Sequence, residues 1–142
     1  MKRLLWVLAL AFSLAGCDTT VTKAEMETAD YGPKPVSYQD EIRSYLKLRL
    51  TDPKDAIVEF RAGPTQIYNR GTPVRGEQYG YGVCVWVNDK NKAGAYDGFY
   101  PMTFVLRNEK IVAVNGGPDD ANIIGAKYAR EQCERLGAPF KQ

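Results

Sequence analysis

The chain has 142 residues, 25% of them charged, with a formal net charge of +2 at pH 7. This length suits one domain with a single hydrophobic core. Histidine is absent, which excludes His-dependent triads, histidine-ligated zinc sites and histidine general bases. A charge so close to zero gives no electrostatic case for nucleic-acid binding.

The N-terminus has the pattern of an export signal. "MKR" is positively charged, and the run "LLWVLALAFSL" is 11 residues long, which is too short for a membrane span but fits the apolar region of a signal peptide. The run ends in "LAGC", residues 14–17, which resembles the lipobox of bacterial lipoproteins. In that family the cysteine thiol receives a diacylglyceryl group, the chain is cut before the cysteine, and the new amine is acylated. The resemblance implies a signal peptide over 1–16 and lipidation of Cys17; the alternative is an ordinary signal peptide with a chance cysteine.

A lipidated Cys17 would place the protein on the periplasmic side of a cell membrane. The lipid would supply the attachment, at about 0.8 kcal/mol per buried CH₂ group. Asp18 follows Cys17 directly, and an Asp there resembles the signal that retains enterobacterial lipoproteins in the inner membrane. The outer membrane is the alternative.

The expected domain limits follow from composition. Residues 18–36, "DTTVTKAEMETADYGPKPV", lack an apolar period and end in Gly-Pro-Lys-Pro. We therefore expect residues 17–36 to be a lipidated cysteine with a flexible tether, which as a coil would span about 20–25 Å. Residues 37–142 are expected to form a single domain.

The first elements of that domain are a helix and a strand. Ser37 is a natural N-cap, apolar residues then follow at helical spacing, and the helix is expected to end near Leu50. Pro53 disfavours helical geometry at Asp52, so "TDPKD" predicts a type I turn. The alternation in "AIVEFRA" predicts a strand, and residues 66–68 predict a second, short one.

The strongest strand is predicted for "EQYGYGVCVWVN", and two more apolar runs complete an antiparallel meander. After the meander, Asp119 or Asp120 is expected to cap a second helix, with Gly137 as its stop. The fold class is therefore α+β: an N-terminal helix, a meander of about four strands, and a C-terminal helix packed on the sheet. Two faces are predicted for the central strand, one with Tyr81, Val83, Val85 and Val87 and the other with Gly82, Cys84, Trp86 and Asn88.

The remaining cysteines, Cys84 and Cys133, are a disulfide candidate in an oxidising periplasm. Their bridge would close a loop of about 50 residues and would pin the last helix to the face of Cys84. The alternative is two buried free thiols. Their spacing is not C-x-x-C, so a redox role is disfavoured.

The segment "VNDKNKAGAYDGF", residues 87–99, joins two predicted strands. Asp89, Asn91 and Gly94 match an EF-hand calcium loop, but Ala93 and Tyr100 stand where ligands are needed. We therefore expect no metal there and predict a structured hairpin connection of about nine residues, longer than usual. Such length indicates either an interaction loop or a packed Ω-like shape.

Aromatic residues crowd the meander. They are expected to be core or half-buried sheet residues, and the alternative is a surface for protein or glycan recognition. The candidate binding residues for that surface are Tyr79, Asn88, Asn91, Tyr96 and Tyr100.

From about residue 38 to 114 the chain resembles small proteobacterial lipoproteins of uncharacterised function. The resemblance rests on a helix followed by "DP", on "VCVWVNDKNKAGAYDGF", and on the apolar strand after it. The family tends to have Ala at the position of Asp89. It brings no known activity, so it supports the fold and the compartment only. The matching positions in the central segment are Asn88, Lys90, Asn91, Gly94, Tyr96 and Gly98.

No nucleophile–base pair is visible in the sequence. We therefore expect a non-enzymatic, membrane-anchored accessory subunit that binds another envelope protein, without a cofactor, a metal or nucleic acid. The alternative is a lipoprotein that binds glycan or peptidoglycan, and a hydrolase with an unusual site is disfavoured.

Overall fold

A computed structural model describes residues 20–71, 75–117 and 123–141. The fold is α+β, as predicted: a four-stranded antiparallel sheet in the order β1-β2-β3-β4, with helices on its faces. The positions of Cys17 and Asp18, and of the expected cap at Asp119 or Asp120, lie outside the described residues. The elements are α1 (Lys23–Thr28), α2 (Tyr38–Lys47), β1 (Ile57–Asn69), β2 (Gln78–Asn88), β3 (Tyr100–Arg107), β4 (Lys110–Asn115) and α3 (Ile123–Arg135).

Helix α2 covers one face of the sheet. The groups that cap its N-terminus differ from those predicted. Ser37 is the N-cap residue, but its side chain makes no capping hydrogen bond within the described chain. Instead the Glu109 carboxylate, from the turn between β3 and β4, accepts hydrogen bonds from the backbone N–H groups of Val36 and Ser37, at 2.8 and 3.1 Å. A distant acid therefore satisfies donors at the helix start, which the local sequence could not show.

The main core lies between α2 and the sheet. The helix ends at Lys47, and the Leu50 N–H still bonds the carbonyl of Leu46 at 2.9 Å, so the chain keeps turning towards the predicted end. The predicted apolar face of β2 is confirmed, because its three valines are fully buried against the helix. The buried members are Ile42, Leu46, Leu50, Val83, Val85, Val87, Met102, Phe104 and Leu106.

Helix α3 covers the opposite face, where the Cys84–Cys133 disulfide joins β2 to the helix with a Cα separation of 5.1 Å. Small or polar residues on the inner side of the helix are buried. Beyond the bridge the Phe140 ring packs edge-on against Trp86, with centroids 5.0 Å apart. The buried positions of α3 are Gly125, Ala129, Gln132 and Cys133.

Strand β1 is one continuous edge strand, not the two separate strands that were predicted. It pairs with β2 along its length, with register shifts between Phe60 and Ala62 and between Ala62 and Thr65. Pro64 lies within it, and an edge strand tolerates proline because its outer N–H groups need no partner in the sheet. The proline and the bulges broke the alternation that sequence analysis relies on.

Within the described part of the predicted tether, residues 20–36, the chain forms a short helix that contacts the sheet. Residues 22–25 form a capping box in which Thr22 and Glu25 bond each other's side chain and backbone, and helix α1 follows. Arg70 Nη2 lies 2.6 Å from both carboxylate oxygens of Glu25. The ring of Tyr31 packs edge-on against that of Tyr79 at 6.5 Å. The folded part therefore begins by Thr22, five residues after Cys17.

Acid is expected to release α1. The Thr22 backbone N–H, followed by the Arg70 guanidinium and the Thr22 hydroxyl, lowers the pKa of Glu25 from 4.5 to about 2. Because the folded-state pKa is the lower one, this stabilisation is complete above about pH 4.5 and is lost as the pH falls towards 2. An NMR titration should show the Tyr31 and Tyr79 ring signals shifting in that window.

A matched pair of variants tests the cause of that titration. Glu25→Gln should show the released signals of α1 at neutral pH, because the neutral amide pairs poorly with Arg70. Glu27→Gln, which removes only an exposed pair with Lys23, should behave as the wild type. An unchanged acid titration in Glu25→Gln would assign the release to another group.

Candidate functional site

The five candidate binding residues do not form one surface. Tyr79 lies near the start of β2, opposite Tyr68, and Asn88 ends the same strand, opposite Ile57. At about 3.3 Å per residue, these two positions are about 30 Å apart. The predicted surface is therefore divided between the two ends of the sheet.

At one end, Tyr79 is used inside the fold. Its ring stacks on Tyr68 at 5.5 Å and receives the edge contact of Tyr31. The Arg107 guanidinium lies 4.3 Å from the ring centroid of Tyr79. These contacts dock the N-terminal segment on the sheet, and they fit the expectation that the aromatic residues are half-buried sheet residues rather than the alternative of a binding surface.

At the other end, the connection over residues 89–99 is a structured loop, as predicted. Lys90 and Tyr96 form a β-bridge, and the backbone N–H of Asn91 donates to the carbonyl of Ala95 at 2.8 Å. The side-chain oxygen of Asn91 accepts from the N–H groups of Ala93 and Ala95, and its amide nitrogen donates to the Asp97 carboxylate. Asn91 therefore shapes the loop itself.

The two strand-end candidates differ from each other. Tyr100 packs against the main core as a partly buried ring. The side-chain oxygen of Asn88 is buried and has no hydrogen-bond partner among the described residues. Neither side chain presents a large exposed surface at the strand ends.

The loop also holds the turn that follows α2. Asp89 is only 7% exposed, and its carboxylate accepts hydrogen bonds from the backbone N–H groups of Thr51 at 2.7 Å and Asp52 at 3.1 Å. The hydroxyl of Tyr96 donates to the carbonyl of Asp55 at 2.7 Å. The sequence did not indicate that Asp89 holds this turn, because its two hydrogen-bond partners lie 38 and 37 residues away in the chain.

Lys90 adds an ionic contact between the same two segments. Its ammonium forms a close ion pair with Asp55, lies 3.6 Å from the Asp52 carboxylate, and sits 5.6 Å from the Tyr96 ring centroid. The hydrogen bond between the Lys90 ammonium and the Asp55 carboxylate is the main reason that the pKa of Lys90 is raised and the pKa of Asp55 is lowered. The turn over residues 51–55 is thereby fixed from one side by three side chains of the loop.

This turn forms one wall of an apolar groove, of about 350 Å³, between α2 and the start of β1. Leu46 and Leu50 at its base belong to the main core, and Ala56 and Val58 are half-buried beside them. Basic side chains form part of its rim. The lining residues are Arg43, Leu46, Lys47, Leu50, Pro53, Lys54, Ala56 and Val58; we call this set the α2–β1 groove.

Two other cavities have different surroundings. One of about 670 Å³ lies beside the N-terminal segment and is lined by Met26, Tyr31 and Gln66, among others. Another, of about 330 Å³, lies between Trp86 and Phe140. The Arg61 guanidinium carbon lies 4.1 Å from the centroid of the Trp86 indole ring, so one face of this ring is covered by a side chain of the same domain.

Comparison of the chain with known protein families, curated proteins and solved structures found no match. None of the helices in the described ranges is both long enough and apolar enough to span a membrane. Within the same ranges, no group of three or more His, Cys, Asp or Glu side chains is arranged to hold a metal ion.

Proposed function

We propose that the protein is a membrane-anchored periplasmic lipoprotein and a non-enzymatic accessory subunit that binds another protein of the cell envelope. The observation that carries the proposal is the sequence "LAGC" at residues 14–17, directly after a basic start and an apolar run of 11 residues. Asp18 favours the inner membrane as the site of attachment.

The early start of the fold supports a role close to the membrane. Thr22, where the capping box begins, is only the fifth residue after the proposed lipid site at Cys17. Fully extended, this stretch reaches about 17 Å. A domain held on so short a connection samples a small volume, which raises its effective concentration near a partner in the same membrane.

Anchoring is tested by Cys17→Ser. The hydroxyl cannot form the thioether to lipid, so we expect an uncleaved or mislocalised precursor, with no mature-size band in the detergent phase of a Triton X-114 partition. The Cys84→Ser/Cys133→Ser chain is the control, and it should be processed and anchored as the wild type is. A mature-size band of Cys17→Ser in the detergent phase would show that the lipobox interpretation is wrong.

Partner binding is tested by affinity isolation of the full chain from detergent-solubilised membranes. The proposal expects one protein to co-purify in a fixed ratio after size exclusion. Isolation of the full chain alone would overturn the accessory role. Co-sedimentation with purified sacculi, without a protein partner, would instead support the glycan-binding alternative.

A further inference from the structure

The α2–β1 groove combines an apolar base with an unbalanced positive rim. The Arg43 guanidinium lies 5.1 Å from the Phe60 ring centroid and forms no salt bridge with any described residue. Lys47 and Lys54 form no salt bridge with any described residue. The acids on the turn, Asp52 and Asp55, are both paired with Lys90, and Asp55 also interacts with the charge of Lys54.

An unpaired strand edge runs beside this groove. β1 is the first strand of the sheet and pairs on one side only, with β2. No described backbone group outside the sheet bonds to residues 57–62. A free edge of this kind can accept a further strand, with main-chain hydrogen bonds supplying affinity and side-chain pockets supplying specificity.

We propose that the α2–β1 groove is the docking site for an extended, acidic segment of the partner protein. The inference rests on the proposed accessory function and names the surface and the chemistry of the contact. The segment pairs with the outer edge of β1 at residues 57–62 and places an apolar side chain over Leu46 and Leu50. Its carboxylates lie against Lys47 and Lys54.

The position of the groove favours a protein segment over the membrane surface. Leu48 is 85% exposed beside Lys47, a combination that also suits an anionic bilayer. However, the N-terminal segment docks near Arg70 and Tyr79, at the end of β1 and the start of β2. The groove lies at the opposite end of the same strands, away from the proposed lipid anchor.

A peptide titration tests the chemistry of the groove directly. The probes are three hexapeptides with acetylated N-termini and amidated C-termini. In the first, Glu and Val alternate along the chain, and in the second, Lys replaces Glu. The third has the sequence of the first, but every second backbone amide is N-methylated and cannot donate a hydrogen bond. We expect the full chain in non-ionic detergent to bind only the first, with slower amide exchange at residues 57–62. Binding of the Lys peptide, or equal binding of the N-methylated one, would overturn the proposal.

Matched charge reversals test the residues. Lys47→Glu/Lys54→Glu should weaken binding of the Glu peptide about tenfold or more, because rim charges facing carboxylates are reversed. Lys34→Glu/Lys92→Glu changes the net charge equally at exposed lysines that form no salt bridge with described residues. It should bind within about twofold of the wild type. Equal losses in both variants would overturn the groove assignment.

Two further arms separate the possible outcomes. A chain of residues 18–142, which keeps every described residue but lacks the signal segment and the lipid, is mixed with vesicles containing about 30% anionic phospholipid. Vesicle binding that depends on Lys47 and Lys54, without peptide binding, would assign the surface to the membrane and overturn the proposal. An envelope partner that co-purifies equally with wild type and Lys47→Glu/Lys54→Glu would overturn the groove while the accessory function stands.

Discussion

Replacing both Cys84 and Cys133 with serine is expected to lower the free energy of unfolding by about 4 kcal/mol. The bridge spans 49 residues, and in the chain-entropy model a closed loop of this length restricts the unfolded chain by about that amount. Small domains have total stabilities of about 5–15 kcal/mol, so the loss would be a large fraction.

Helix α3 should loosen first in this variant. Both sulfurs are fully buried between the helix and β2, and the rest of the helix contact depends on small residues such as Gly125 and Ala129. Small residues bury little apolar area, so they contribute little without the bridge. The main core, around Ile42 and Phe104, lies on the other face of the sheet and should persist.

Urea unfolding followed by the fluorescence of Trp86, whose ring packs on Phe140 beyond the bridge, measures the effect. Lys34→Glu/Lys92→Glu is the control, because it leaves the bridge and the lipidation site unchanged and should unfold as the wild type does. Mass spectrometry after alkylation without reduction should find Cys84 and Cys133 unmodified. Two alkylated thiols, or a stability loss below about 1 kcal/mol, would contradict the prediction.

The sequence predicted the middle of the fold well. β2 is covered on both sides, by α2 and by α3, so it reads as a nearly continuous apolar run, and the period of two assigns its residues to the two faces. The same reasoning placed Cys84 and Cys133 on facing surfaces, where the structure has the disulfide.

Elements at the edges were harder to predict. Helix α1 has six residues, and none is buried, so no apolar period marks it. The motif at Thr22 and Glu25 is a capping-box pattern and could have indicated the helix start. Its docking depends on Arg70 and Tyr79, which lie far along the chain and which no local pattern identifies.

The site was predicted least, because it is built from contacts between distant segments. The length and the glycines of the loop over residues 89–99 indicated an interaction loop or a packed shape. In the structure the loop contacts and holds a neighbouring turn. Its side chains hold the turn over residues 51–55, and that turn completes the groove with α2. Asn91, one of the candidate binding residues, bonds within the loop itself.

Asp89→Ala is expected to lower the free energy of unfolding by about 2–3 kcal/mol. The buried Asp89 carboxylate accepts hydrogen bonds from the backbone N–H groups of Thr51 and Asp52. Hydrogen bonds to a charged group contribute about 1.5–3 kcal/mol each, although partial access of water to the two N–H groups limits the loss. Asp89→Asn should also destabilise, because its amide can orient only one oxygen towards the two donors.

The same substitutions should weaken the groove, since the turn that Asp89 holds carries Pro53 and Lys54. Asp97→Asn is the matched control: Asp97 is an exposed loop acid that accepts only from Asn91, so its loss should cost less than about 0.5 kcal/mol. Urea unfolding and binding of the alternating Glu peptide are measured on each variant. If Asp89→Ala matches the wild type in stability, Lys90 and Tyr96 suffice to hold the turn. If it unfolds more easily yet binds the peptide unchanged, the turn does not shape the groove, and the link between the loop and the docking surface fails.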